Sequence, residues 1–130
     1  MEVTRLTLAA AACLLFGAGC QAASELKQVS DVHVLQARSS EQGAFCADFR
    51  LTDAAAADSL HNAREISKQQ YDQDYDYLPC WVSGTAKAGD RAIEWELRAG
   101  GNGLVRDARG TVIYIGCEAC RESFGRNAPK

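Results

Sequence analysis

Four cysteines, Cys46, Cys80, Cys117 and Cys120, are spread through a polar body, while the other two, Cys13 and Cys20, lie in an apolar leader. Four thiols pair off completely, and such pairs persist where the cytosolic thiol pool does not reduce them. The body is therefore expected to fold outside the cytoplasm, held by covalent staples. Staples matter because only about 110 residues follow the leader, enough for one domain with a modest core.

Residues 1–20 carry one positive charge near the start, Arg5, followed by an apolar run over residues 8–18. As a helix that run reaches about 16 Å, roughly half of a hydrocarbon core of about 30 Å, so it is too short to span a membrane. A short apolar core behind a basic start has the form of a secretory signal peptide. Its end reads in two ways. Phe16-Gly17-Ala18-Gly19-Cys20 resembles a lipobox, with Cys20 as the candidate lipidation site, although Gly17 stands where leucine is usual; cleavage near Ala22 or Ala23 would instead leave a soluble chain. Residues 21–30 read as a flexible spacer and residues 31–125 as one domain. No further apolar run could cross a bilayer, so a membrane is expected to be met only through lipid. The net charge of −3 argues against nucleic acid as a partner, because that binding rests on a basic face.

Within the body, residues 31–37 and 45–51 show period-two patterns, the second placing Phe45, Ala47, Phe49 and Leu51 on one side. Thr52 or Asp53 can cap a helix whose small apolar stripe runs through Ala54 to Ala57, Leu60, Ala63 and Ile66. From Cys80 onward the pattern returns to strands. Ile93, Trp95 and Leu97 alternate with Glu94, Glu96 and Arg98, and turns fall at residues 88–90, 100–103 and 107–110. Links this short join only antiparallel neighbours. The expected fold is α+β: one helix packed on an antiparallel sheet of five or six strands, ending in a four-stranded meander.

Four cysteines permit three pairings, and sequence alone does not select among them. The pairing expected here is Cys46 with Cys80 and Cys117 with Cys120. By chain entropy the first would stabilise the fold by about 3.5 kcal/mol and the second by about 2 kcal/mol. Cys117-Glu118-Ala119-Cys120 also has the form of a redox-active pair, which works at a helix N-terminus, but only ten residues follow it. A zinc site built from the four cysteines would lack the close spacing of Cys46 and Cys80.

Tyr71-Asp72-Gln73-Asp74-Tyr75-Asp76-Tyr77 is the most distinctive polar segment. Its alternate aspartates resemble the start of a calcium loop, but Tyr77 occupies the required glycine position and Ser83 that of the bidentate glutamate. If extended, it would set Tyr71, Tyr75 and Tyr77 against the aspartates. One reading is a tyrosine cover for a sheet edge. The other is an acidic, aromatic patch for a basic partner. His33 and His61 lie in no nucleophile or metal motif, His61 being placed for a surface pair with Glu65. Ser83-Gly84-Thr85 lacks an esterase elbow, and the glycines of 100–103 open no helix that could receive a phosphate. No catalytic residue, cofactor or metal is expected.

Tyr75-Asp76-Tyr77-Leu78-Pro79-Cys80, Ser83-Gly84, Trp95-Glu96-Leu97-Arg98-Ala99-Gly100-Gly101 and Cys117-Glu118-Ala119-Cys120 together resemble a group of uncharacterised bacterial exported proteins and lipoproteins. The resemblance covers residues 45–120. It implies a Gram-negative envelope address, periplasmic or on an outer-membrane lipid anchor, and a cysteine framework; it implies no activity. The expected function is a small exported binding module, inhibitor- or immunity-like, docking a protein partner in the envelope. The alternatives are a thiol-redox or zinc protein using Cys117 and Cys120, and a passive envelope lipoprotein.

Overall fold

The structure is a computed structural model that describes residues 26–126. The leader, Cys20 and half of the expected spacer, residues 21–25, lie outside them. The elements run β1 (Val29–Ser39), α1 (Asp53–Asn62), β2 (Arg64–Ile66), α2 (Lys68–Gln73), β3 (Cys80–Ala88), β4 (Arg91–Arg98), β5 (Asn102–Asp107), β6 (Val112–Gly116) and α3 (Glu118–Arg126). Six strands form one antiparallel sheet in the order β1-β3-β4-β5-β6-β2. β3 to β6 are the expected meander. β1 closes one side of it and β2 the other.

Tight links set the meander's register. Gly89, with φ 63°, occupies the first central position of the two-residue turn between β3 and β4, a place that favours glycine. Between β5 and β6, Asp107 Oδ1 accepts from the backbone of Arg109 and Thr111, and Gly110 takes the left-handed conformation. Alternation then sorts the strands: Val82 and Ala86 of β3, Ile93, Trp95 and Leu97 of β4, Val105 of β5 and Ile115 of β6 are buried together. Trp95 is 1% exposed, and its indole N–H donates to the Thr85 carbonyl at 2.9 Å. Gly84 makes room for it, since a Cβ there would stand 2.6 Å from the Trp95 ring and 1.9 Å from the His33 carbonyl oxygen.

The helices α1 and α3 cover this face. Thr52 caps α1 by accepting the Ala55 N–H at 3.1 Å, and Ala56 and Leu60 turn inward with no exposed surface. Burying a leucine in this way contributes about 1.5–3 kcal/mol. From α3, Phe124 meets Phe49 edge-on at 5.0 Å. α1 also closes the free edge of β1: Asp53 Oδ1 accepts the Val34 N–H and His61 Nε2–H donates to the Val29 carbonyl, both at 2.8 Å. At these two positions side chains take the place of a neighbouring strand, which disfavours further pairing there.

Four expectations change. Residues 45–51 form no strand: the chain turns twice over residues 44–49, with Ala47 N–H bonded to the Ala44 carbonyl and Phe49 N–H to that of Cys46, and runs irregularly to α1. A repeat of three buries Cys46 and Phe49 while Phe45 is left 66% exposed, and α1 already occupies the β1 edge that a further strand would need. The helix stops at Asn62, and Ile66 enters β2 beside Tyr114. His61 bonds Val29 rather than Glu65. Leu26 and Val29, placed in the spacer by composition, belong to the core.

Candidate functional site

Among the described residues, the opposite face of the sheet is covered only at one end, by α2 and the loop after it. Cross-strand pairing sets Trp81 beside Arg98, Ser83 beside Glu96 and Thr85 beside Glu94, with Leu104, Arg106 and Tyr114 following on β5 and β6. Two arrangements occupy this surface, a cleft in its middle and an aromatic cluster at the end where both disulfides lie.

The cluster begins with α2. Ser67 and Gln70 form a reciprocal capping box that starts this short helix, a signal present in the sequence as Ser67-Lys68-Gln69-Gln70. α2 lies against β6, so that Tyr71 meets Tyr114 at 4.9 Å. The Tyr71 hydroxyl accepts Arg98 Nε–H at 3.0 Å, and burial raises its pKa, opposed by the adjacent guanidinium. Arg98 also pairs with Glu96 at 3.3 Å and donates to the Leu78 carbonyl at 3.4 Å. Its guanidinium lies 5.1 Å from the Trp81 ring and 5.9 Å from that of Tyr77, within cation–π range. Beneath them, buried Asn102 donates to the Tyr71 carbonyl at 3.1 Å.

The aspartate–tyrosine segment is thereby divided. Tyr71 and Asp72 are helical, so the extended alternation does not form, and Asp72 pairs with Lys68 one turn earlier. That bond raises the Lys68 pKa. Asp74 ends α2. Tyr75 turns inward over Gly116 and donates its hydroxyl to Glu118 at 2.9 Å, with Arg121 5.1 Å from its ring. Burial first, then the Glu118 bond, raises the Tyr75 pKa; the same bond, reinforced by Arg121, lowers that of Glu118. Tyr75 thus anchors the loop that displays Asp74, Asp76 and the 76% exposed Tyr77.

The two bridges hold this end. Cys46–Cys80 spans 34 residues with its Cα atoms 5.9 Å apart, tying the exposed Phe45 beside the start of β3. Cys117–Cys120 closes three residues at the β6–α3 junction. Cys120 N–H donates to Cys117 Sγ at 3.1 Å, a helix-start position that favours a thiolate. Both cysteines are buried, Cys117 at 1% exposure, so an incoming thiol has no path to the sulfur in this conformation. Among the described residues, no group of three or more His, Cys, Asp or Glu side chains could hold a metal ion.

The cleft has a volume of about 290 Å³ and runs across β1, β3, β4 and β5. Gln36, Ser83, Thr85, Glu94, Glu96 and Arg106 supply its polar lining, with Leu35 and Leu104 at its rim. None of these was expected as a site residue from sequence, where Ser83 and Thr85 entered only in motifs they do not complete and in a resemblance, and Glu94 and Glu96 only in the alternation of a strand. The alternation of β4 places Glu94, Glu96 and Arg98 on one outward face, but their neighbours across the sheet emerge only from the register. A second cavity, about 60 Å³, lies on the covered face between Leu26, Val29, Ile93, Val105 and Ile113 and is far smaller than the roughly 300 Å³ of a small-molecule site. Comparison with family models, curated proteins and solved structures found no match for this chain.

Proposed function

We propose that this chain is an exported, non-enzymatic binding module of the bacterial envelope, inhibitor- or immunity-like, which docks a basic protein partner through its disulfide-held end. The observation that carries the reading is Tyr77. Its ring is exposed and rests beside the guanidinium of Arg98, just after the exposed acids Asp74 and Asp76, on a loop fixed by the buried Tyr75. Rigid aromatic anchors lose little freedom on binding, and nearby acids steer a cationic surface toward them. Two disulfides support an oxidising, exported setting, and no helix among the described residues is long and apolar enough to cross a membrane.

The test is capture of partners from periplasmic extract by the mature protein, run beside Tyr77→Ala and beside the triple change of Asp72, Asp74 and Asp76 to asparagine. The reading expects one captured species to lose at least tenfold in affinity with Tyr77→Ala, about 1.4 kcal/mol. Identical capture by all three proteins would remove this end of the molecule as the docking surface.

A thiol-redox reading is favoured by the hydrogen bond from Cys120 N–H to Cys117 Sγ and opposed by burial of both sulfurs. Native thiol–disulfide exchange with glutathione decides it: rapid reduction of this bridge would favour it, and resistance would end it.

A further inference from the structure

We infer that the cleft on the open face is a binding site for a neutral carbohydrate chain, independent of the acidic end. Its size, about 290 Å³, stands at the lower bound of roughly 300–1,000 Å³ for small-molecule sites. It extends across four adjacent strands, about 14 Å at the usual interstrand spacing, which suits an elongated ligand lying across the sheet.

The lining chemistry narrows the class. Glu94 pairs with Arg106 inside the cleft at 3.9 Å, and Glu96 with Arg98 of the adjoining cluster at 3.3 Å, so each acid of the lining already has a cationic partner. A phosphate or polyanion would meet two carboxylates, and a cationic peptide would have to displace Arg106 and Arg98 from the acids they already pair with. An uncharged ligand meets neither penalty. Beside the pairs, on β3 and β1, stand the Ser83 and Thr85 hydroxyls, each both donor and acceptor, and the Gln36 amide, which offers both as well. Sugar hydroxyls also donate and accept at once, and this floor answers both needs within one strand spacing. The apolar faces of a sugar ring find Leu35, 65% exposed, and Leu104 at the rim. Trp81, two residues from Ser83 on the same face and only partly buried, extends the surface with an aromatic ring.

A peptide added as an extra strand fits less well. It would need the free edge of the sheet, whereas the cleft lies on its face, and the long edge of β1 is engaged at Val29 and Val34 by His61 and Asp53.

The experiment titrates the mature protein with three tetrasaccharides, of β-1,4-linked N-acetylglucosamine, of cellulose type and of maltose type, followed by calorimetry, and adds cosedimentation with purified peptidoglycan sacculi. Each is repeated with Gln36→Ala/Thr85→Val, in which valine preserves the shape and strand preference of threonine, and with Asp74→Asn/Asp76→Asn. The expected result is saturable binding of a tetrasaccharide, or of sacculi alone if only the polymer is held, with a Kd of about 1 mM or tighter, weakened at least tenfold by the cleft variant and unchanged by the loop variant. Near-UV circular dichroism establishes that each variant is folded. No binding to any of the four probes, or binding that the folded cleft variant retains in full, overturns the inference; neither outcome touches the protein-docking proposal, which the loop variant and Tyr77→Ala test separately.

Discussion

The two faces of this sheet are built from the same four strands of the meander yet differ in what covers them. On one, Val82, Trp95, Leu97 and Ile115 are sealed beneath α1 and α3; on the other, Trp81, Ser83, Glu96 and Arg98 remain within reach of solvent. The two tryptophans stand one on each face: Trp95 is 1% exposed with its N–H satisfied inside, while Trp81 is partly buried against a guanidinium. The difference teaches that a small domain can place its apolar burial on one side and its polar and charged groups on the other, because side chains alternate along every strand.

The sharpest way to break the comparison is to truncate each tryptophan. Trp95→Ala removes a fully buried indole and is expected to cost about 3–5 kcal/mol in chemical denaturation. Trp81→Ala forfeits partial burial and a cation–π contact and is expected to cost about 1 kcal/mol. Equal costs would mean that the open face is as much part of the core as the covered one.

Next in size are the bridges. Replacing Cys46 and Cys80 together by serine releases a loop of 34 residues and is expected to cost about 3.5 kcal/mol, against about 2 kcal/mol for Cys117 and Cys120. The ranking sharpens the contrast, since the long bridge ties the turns of residues 45–51 to β3 whereas the short one pins only the start of α3. A larger cost for the short bridge would show that α3 contributes more to the covered face than Phe124 alone.

Asp53→Ala removes the acceptor of the Val34 N–H at the β1 edge and an acid from the first turn of α1, with an expected cost of about 1 kcal/mol. Solution scattering adds a separate check, because opening this edge is expected to promote self-association.

The smallest effect is pH dependence at Glu118. Its carboxyl pKa is lowered in the folded protein by the Tyr75 bond and by Arg121, so between the folded and unfolded values the unfolded chain binds more protons. The contribution is present above the unfolded value near 4.3 and is lost as pH falls through the folded one. Glu118 is largely solvated, which limits the effect to less than about 1 kcal/mol. Glu118→Gln is expected to flatten that part of the stability profile. Tyr75, raised by burial, sets the opposite limit: its contribution is full below about pH 10 and is lost as pH rises through the folded value.

Much of the fold was legible because the meander obeys local rules. Ile93, Trp95 and Leu97 show their period without ambiguity, and the glycine turns leave antiparallel pairing as the only geometry. Legibility failed where tertiary context overrides local pattern. Phe45, Ala47, Phe49 and Leu51 alternate as a strand would, but the edge of β1 belongs to α1, and the segment turns instead. Ile66 continues the helical stripe in sequence yet pairs with Tyr114 in space. At the candidate site, the acidic tyrosine segment was visible, but which of its tyrosines faces outward was not: Tyr75 turns to Glu118, a partner 43 residues away. The cleft was invisible for a simpler reason. Gln36, Ser83, Glu96 and Leu104 come from four strands, and only the register brings them together.

The asymmetry of the two faces is tested most directly by acrylamide quenching of two single-tryptophan proteins, Trp95→Phe, which leaves Trp81, and Trp81→Phe, which leaves Trp95. The account predicts that Trp81 emission is quenched several-fold more efficiently than that of Trp95. Equal shielding of both rings in the monomeric protein would mean that the open face is covered, and would contradict it.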